Sequence, residues 1–157
     1  MNEISDLNYS YLDTPIGQLE ICANSRELVS IYFSDLQQGT YPSNAITKEA
    51  LAQLKAYFAR KLTRFELPLA AQGTAFQHQV WQALATIPYG STCSYADIAN
   101  QLQNPKAVRA VGAANGKNPL SIVIPCHRVI GKNGTLTGYA GGLGRKSWLL
   151  DFEQGAE

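Results

Sequence analysis

Residues Ser94–Gly116 read SYADIANQLQNPKAVRAVGAANG. Two helix starts lie inside this stretch. Ser94-Tyr-Ala-Asp97 has a serine followed three residues later by an acid, the pattern of a capping box. It opens a short helix through about Leu102. Asn104-Pro105 is the second start, with Asn as N-cap and Pro at the first helical position, where a missing N–H is harmless. That helix runs through Arg109 and stops at Asn115-Gly116, residue types that tolerate the left-handed conformation ending many helices. Two short helices joined by a turn of two or three residues make a helix-turn-helix. The second is unusual: Lys106–Ala114 is mostly Ala, Val and Gly, with one Arg, Arg109. Helices that read the major groove carry Asn, Gln or Arg toward base edges. Small residues either pack helix on helix or let the backbone approach a narrow surface, with Arg109 as a long cation projecting from it.

Working outward, Thr74-Ala-Phe-Gln77 is another capping box, followed by Phe76, Val80, Trp81 and Leu84 on one helical face. Downstream, Ser121–Ile124 reads as a buried strand. Arg128–Ile130 and Thr135–Thr137 flank an Asn133-Gly134 turn and read as a hairpin, which after a helix-turn-helix is a wing. Gly138–Gly144 is glycine-rich, and Lys146–Glu153 reads as a last helix with Trp148, Leu149 and Phe152. Upstream, Tyr9–Asp13, Leu19–Ala23 and Val29–Phe33 are strand-like and separated by turn-rich segments, and Thr47–Ala59 has helical spacing. The composition changes at Leu67–Gly73. The boundary expected there divides the chain into 1–72 and 73–157.

The length of 157 residues suits one domain or two small ones, and 45% hydrophobic against 16% charged residues is enough apolar material for packed cores. No apolar run approaches the about 18 residues of a membrane span. The start, MNEISDLNYSYLD, is acidic and lacks the apolar stretch of a signal peptide. Cys22, Cys93 and Cys126 are odd in number with no C-x-x-C pair, the pattern of free thiols in a reduced, cytoplasmic protein. The net charge of +1 divides as −2 over residues 1–72 and +3 over residues 73–157, so the second half is the better partner for an anion.

Ile124-Pro-Cys-His-Arg-Val-Ile130 places a thiol, an imidazole and a guanidinium in consecutive positions. A thiol becomes a nucleophile as thiolate, which needs a base or a cation nearby. His127 and Arg128 could supply these. Adjacent residues of an extended chain point to opposite faces, so a water could carry the proton between Cys126 and His127. Taken alone, a cysteine at a strand end is equally a core residue, and Glu153 at a helix end is equally a solvated one. No pair of His and Cys has zinc-ligand spacing.

Together these residues resemble the O6-alkylguanine-DNA alkyltransferases, also called methylated-DNA–protein-cysteine methyltransferases. The resemblance rests on Ser94-Tyr95, Asn104–Gly112, Asn118-Pro119, Ile124–Ile130, Gly138-Tyr-Ala-Gly-Gly142 and Lys146-Ser-Trp-Leu-Leu150 with Glu153. It spans most of residues 74–153. Residues 1–72 match in layout alone.

The resemblance implies an α+β fold: an N-terminal ribonuclease-like domain of antiparallel sheet and helix, then a C-terminal winged helix-turn-helix alkyltransferase domain. It implies direct repair of O6-alkylguanine in duplex DNA, with O4-alkylthymine as a second substrate, by irreversible transfer to Cys126. Glu153 would orient His127, His127 would deprotonate Cys126 through a water, and Tyr95 would donate toward the leaving guanine. Arg109 would fill the gap left by a flipped base. Tyr95, Ala96, Asn104 and Lys132 would meet phosphates, and Asn118 would be the hinge between recognition helix and active-site segment. Tyr139 would lie against the base, while backbone groups of Cys126, Val129 and Ala140 hold its edge. Arg128 would pair with a carboxylate. No cofactor, metal or membrane is implied, and the protein would act as a cytoplasmic monomer on alkylated double-stranded DNA. An alkyltransferase-like binding protein would lack Cys126. A winged-helix regulator would leave Cys126, His127 and Glu153 unexplained, and a thiol hydrolase would leave the helix-turn-helix so.

Overall fold

A computed structural model describes residues 7–34 and 41–155. The chain divides into two compact units, Met1–Gln72 and Gly73–Glu157. In the first, β1 (Asn8–Thr14), β2 (Gly17–Ala23) and β3 (Leu28–Phe33) form an antiparallel meander in the order β1-β2-β3. The register sets Ser10 opposite Ile21 and Ile21 opposite Ile31, with Leu12 opposite Leu19. Alternation therefore puts these residues on one face. Helix α1 (Ala45–Phe58) packs there, and Ser10 donates to Thr47 at 3.0 Å. The three strands lie where sequence places them. α1 begins two residues before Thr47, because Asn44 and Thr47 form a reciprocal cap.

The second unit is mainly helical. Thr74 and Gln77 cap α2 (Ala75–Leu84) as expected. Gly73 precedes it because a Cβ there would stand 2.5 Å from the Trp81 ring. Trp81 in turn donates through Nε1 to the carbonyl of Ala114 at 2.9 Å, fixing α2 to the end of the second motif helix. β4 (Cys93–Ser94) leads into α3 (Tyr95–Gln101), capped by Ser94 and Asp97.

The second motif helix, α4, spans Val108–Gly116 and begins later than expected. Asn104 is not its cap. The N–H of Asn104 closes α3 by bonding the carbonyl of Ala99, and its carbonyl accepts from Ala107 across a turn with Pro105 inside. A fixed proline φ suits the second position of a β-turn as well as the first turn of a helix, so the same dipeptide serves either. The connection is six residues, Leu102–Ala107, and Ala107 caps α4 without a side-chain bond.

Two expected strands are absent. Ser121–Ile124 is a tight reversal, with Ile122 at φ 72°. The Asn118 amide takes the Leu120 N–H at 2.9 Å and gives Nδ2 to the Ile124 carbonyl at 2.8 Å, so a side chain satisfies what a strand partner would have. Thr135–Thr137 likewise forms no ladder. The loop after Gly131 is closed by its N–H to the Thr135 carbonyl at 2.7 Å, while Thr137 turns its polar groups to Tyr95 and Lys146. The wing is thus a closed loop. β5 (Val129–Ile130) pairs instead with β4, in parallel. Helix α5 (Leu143–Glu153) starts three residues before Lys146, entered through Gly142 at φ 93°. Among the described residues no helix is long and apolar enough to cross a membrane.

Candidate active site

Cys126 opens a single 3-10 turn, Cys126–Arg128, between the Asn118 reversal and β5. It is 3% exposed. The turn replaces the extended chain that would have sent His127 and Arg128 to opposite faces. Both reach the last turn of α5. His127 Nε2 lies 2.8 Å from Glu153 Oε2. Arg128 grips the same carboxylate with two bonds, Nε to Oε1 at 2.7 Å and a terminal nitrogen to Oε2 at 2.9 Å. Its other terminal nitrogen donates to the Ile87 carbonyl at 2.7 Å, and its guanidinium lies over the Tyr89 ring.

A carboxylate only accepts, so His127 carries its proton on Nε2 and Nδ1 is the basic nitrogen. Nδ1 is buried and bonds no described residue, Cys126 included. Burial pushes the His127 pKa below its ordinary 6.5, although Glu153 pulls it back. His127 is thus a neutral base at neutral pH. On linkage grounds its contribution to stability is present above about pH 6.5 and is lost as pH falls toward its folded value, because the unfolded chain takes the proton first.

Burial pushes the Cys126 thiol up, while the Asn118 amide and the Lys146 charge pull it back. Lys146 was not expected to face this site. It is fully buried, donates to the Thr137 carbonyl at 2.7 Å and stands 5.8 Å from the Tyr95 ring centroid. No carboxylate pairs with it among the described residues. Its position in the sequence did carry a signal, since 146, 149 and 153 fall on one helical face. Replacing Lys146 with Met should push the Cys126 thiol further up and slow its alkylation near neutral pH about tenfold. The pH profile of chloroacetamide labelling at the Cys126 peptide reads this directly, and an unmoved profile would show that Lys146 has no electrostatic hold on the thiol.

Tyr95 accepts a hydrogen bond from Thr137 at 2.9 Å, which leaves its own proton to give. Tyr139 is buried, and that burial raises its phenol pKa. Asn118 and Val129 are buried beside the turn, Ala140 is exposed on the glycine-rich loop, and Ala96 is half-buried in the first turn of α3. Arg109 on α4, Asn104 in its preceding turn and Lys132 on the wing are all exposed. Asn115, unmarked in the sequence except as a helix stop, is buried and donates to the Cys126 carbonyl at 3.4 Å. All three cysteines are free. Among the described residues no group of three His, Cys, Asp or Glu side chains could hold a metal.

The arrangement is a buried thiol, a neutral imidazole oriented by a doubly anchored carboxylate, and a tyrosine hydroxyl on a helix-turn-helix. Known proteins resemble this chain in sequence and fold. Residues 7–71 match the ribonuclease-like domain of 6-O-methylguanine DNA methyltransferase, and residues 75–155 match the DNA binding domain of the same family. The methylated-DNA–protein-cysteine methyltransferase of Mycobacterium leprae is 49% identical over 148 residues, covering 91% of this chain and 90% of that protein. That of Methanosarcina acetivorans is 44% identical, covering 92% and 97%. A crystal structure of the Mycobacterium tuberculosis O6-methylguanine methyltransferase superposes with a TM-score of 0.87 at 44% identity, covering 96% of this chain and 94% of that one. The structure of Mycobacterium tuberculosis OGT in complex with DNA superposes with a TM-score of 0.85 at 47% identity, covering 93% and 92%.

Proposed function

Because the chain belongs to the methylated-DNA–protein-cysteine methyltransferases, which repair DNA by alkyl transfer, we propose that Cys126 is its alkyl acceptor for O6-alkylguanine. The observation that carries this reading is the Glu153–His127 pair ending in a basic, buried Nδ1 one residue from a buried thiol. A water relays the Cys126 proton to Nδ1. The thiolate forms a bond to the alkyl carbon as the carbon–O6 bond breaks. The bonding pair stays with guanine, which takes a proton from the Tyr95 side. The thioether that remains has no leaving group for water to displace, so each protein acts once. O4-alkylthymine offers the same kind of carbon–oxygen bond and is the second substrate of this reading.

A thiol only 3% exposed cannot reach a stacked base, so the damaged nucleotide swings out of the duplex, at a cost of about a few kcal/mol. Arg109 fills the space it vacates, from a helix whose exposed residues beside it, Val108 and Ala110, are small enough for close approach to a minor groove. Phosphates meet the start of α3 at Tyr95 and Ala96, with Asn104 and Lys132 alongside. The extruded base lies against Tyr139, held by backbone groups of Cys126, Val129 and Ala140, and Asn118 is the hinge between α4 and the acceptor turn. The protein works as a monomer on duplex DNA.

Arg109→Ala is expected to slow repair of O6-methylguanine in duplex DNA by roughly 10- to 100-fold and to leave reaction with free O6-benzylguanine near wild type. Parallel rate measurements on the two substrates test this. Equal losses on both would remove the role in extrusion.

A further inference from the structure

Helix α1 covers one face of the meander, and the other face is lined by tyrosine. The register sets Tyr11 opposite Glu20 and Glu20 opposite Tyr32, so the three stand in one row across β1, β2 and β3. Alternation puts them on the side away from Ser10, Ile21 and Ile31. Tyr9 lies on the same side, two residues along from Tyr11, and meets Tyr41 with ring centroids 5.0 Å apart. Tyr32 is 43% and Tyr41 47% exposed, and Tyr9, Tyr11 and Glu20 are half-buried. Half of the chain's eight tyrosines thus gather here, and tyrosine is enriched where proteins meet.

The charge on this face decides what can cover it. Glu20 stands between Tyr11 and Tyr32, and its Oε2 accepts from the Tyr11 hydroxyl at 3.2 Å. The three strands hold no Lys or Arg, and their other charged residue, Asp13, is a second carboxylate on the same side. Among the described residues no Lys or Arg pairs with Glu20. An apolar partner laid over the rings would bury this carboxylate unpaired, which is costly. A nucleic acid would bring phosphates against two carboxylates. A cation satisfies the carboxylate and the rings together, since a guanidinium stacks on an aromatic face while its N–H groups meet a carboxylate. β1 and β3 flank β2 about 10 Å apart, which leaves room for one planar group between the two rings. We propose that this face docks an arginine-bearing segment of a partner protein, with a guanidinium over Glu20 between Tyr11 and Tyr32.

The probe is a short peptide of alternating glycine and arginine, set against the same peptide with citrulline, which keeps the shape and loses the charge. Backbone amide shifts of the full chain are followed by NMR as each peptide is added. The arginine peptide should shift Tyr11, Glu20 and Tyr32. The citrulline peptide should bind roughly tenfold more weakly, and Glu20→Gln and Tyr32→Ala should each weaken the arginine peptide by about the same factor. Glu20→Gln is isosteric and Tyr32 is exposed, so both variants should melt as wild type does. No shift on this face, equal binding of the two peptides, or shifts spread over other acidic residues and unmoved by both variants would overturn the proposal. A dimer in analytical ultracentrifugation that Tyr32→Ala dissociates would overturn it too, and would give the face to a second copy of this chain.

Discussion

Cys126→Ala is expected to take up no alkyl group from DNA containing O6-methylguanine while still binding that DNA. Every other group of the site serves this sulfur. Without it, His127 Nδ1 has no proton to draw and Tyr95 no leaving group to assist. Binding should survive because Arg109, Asn104 and Lys132 are exposed on segments other than the acceptor turn. The fold should survive too, since exchanging a thiol for a hydrogen leaves a small cavity, costing on the order of 1 kcal/mol. Incubation with a methyl-labelled duplex followed by denaturing electrophoresis reads transfer, and a mobility shift reads binding. Label retained in Cys126→Ala would move the acceptor elsewhere, with half-buried Cys93 the next thiol in the same unit.

Glu153→Ala should be the most destabilising substitution in the site. It removes one hydrogen bond from His127 and two from Arg128. The Arg128 guanidinium keeps the Ile87 carbonyl and the Tyr89 ring, yet its charge stays buried without a carboxylate. Breaking a buried pair from one side costs about 3–5 kcal/mol, a large share of the roughly 5–15 kcal/mol that holds a domain. Removing both partners is a different matter. Glu153→Ala with Arg128→Met should recover much of the stability, because no charge is stranded. It should not recover the transfer rate, because nothing then fixes His127 with Nδ1 as its basic nitrogen. Urea unfolding and single-turnover kinetics on the two variants separate these effects. A double variant as slow to transfer and as unstable as the single would deny that Arg128 is the stranded charge, and one restored in rate would deny that Glu153 orients His127.

What the sequence disclosed and what it hid follow from the physics of each segment. The strands of the first unit are short apolar and aromatic runs bounded by turn residues, and both signals are local enough to survive translation into structure. The capping boxes at Thr74 and Ser94 were legible because both members of each pair are specified. Pro105 misled because a proline φ fits a β-turn as well as a helix start. Ser121–Ile124 misled because a buried apolar run reads alike as strand or reversal, and the choice was made by Asn118, whose side chain replaces a strand partner. Of the site, Cys126, His127 and Glu153 were nameable from the chain, but the 3-10 turn that lets His127 and Arg128 share one carboxylate was not. Lys146 was readable only as one member of a helical stripe. Asn115 was masked by its ordinary duty as a helix stop.

Intact-protein mass spectrometry after mixing with a duplex containing O6-methylguanine tests the central claim most directly. One added methyl group, about 14 Da, located on Cys126 and saturating at one per protein chain, is the result this account of the site predicts. An unchanged mass, with the lesion still bound in preference to undamaged DNA, would contradict it and make the chain a damage-binding protein.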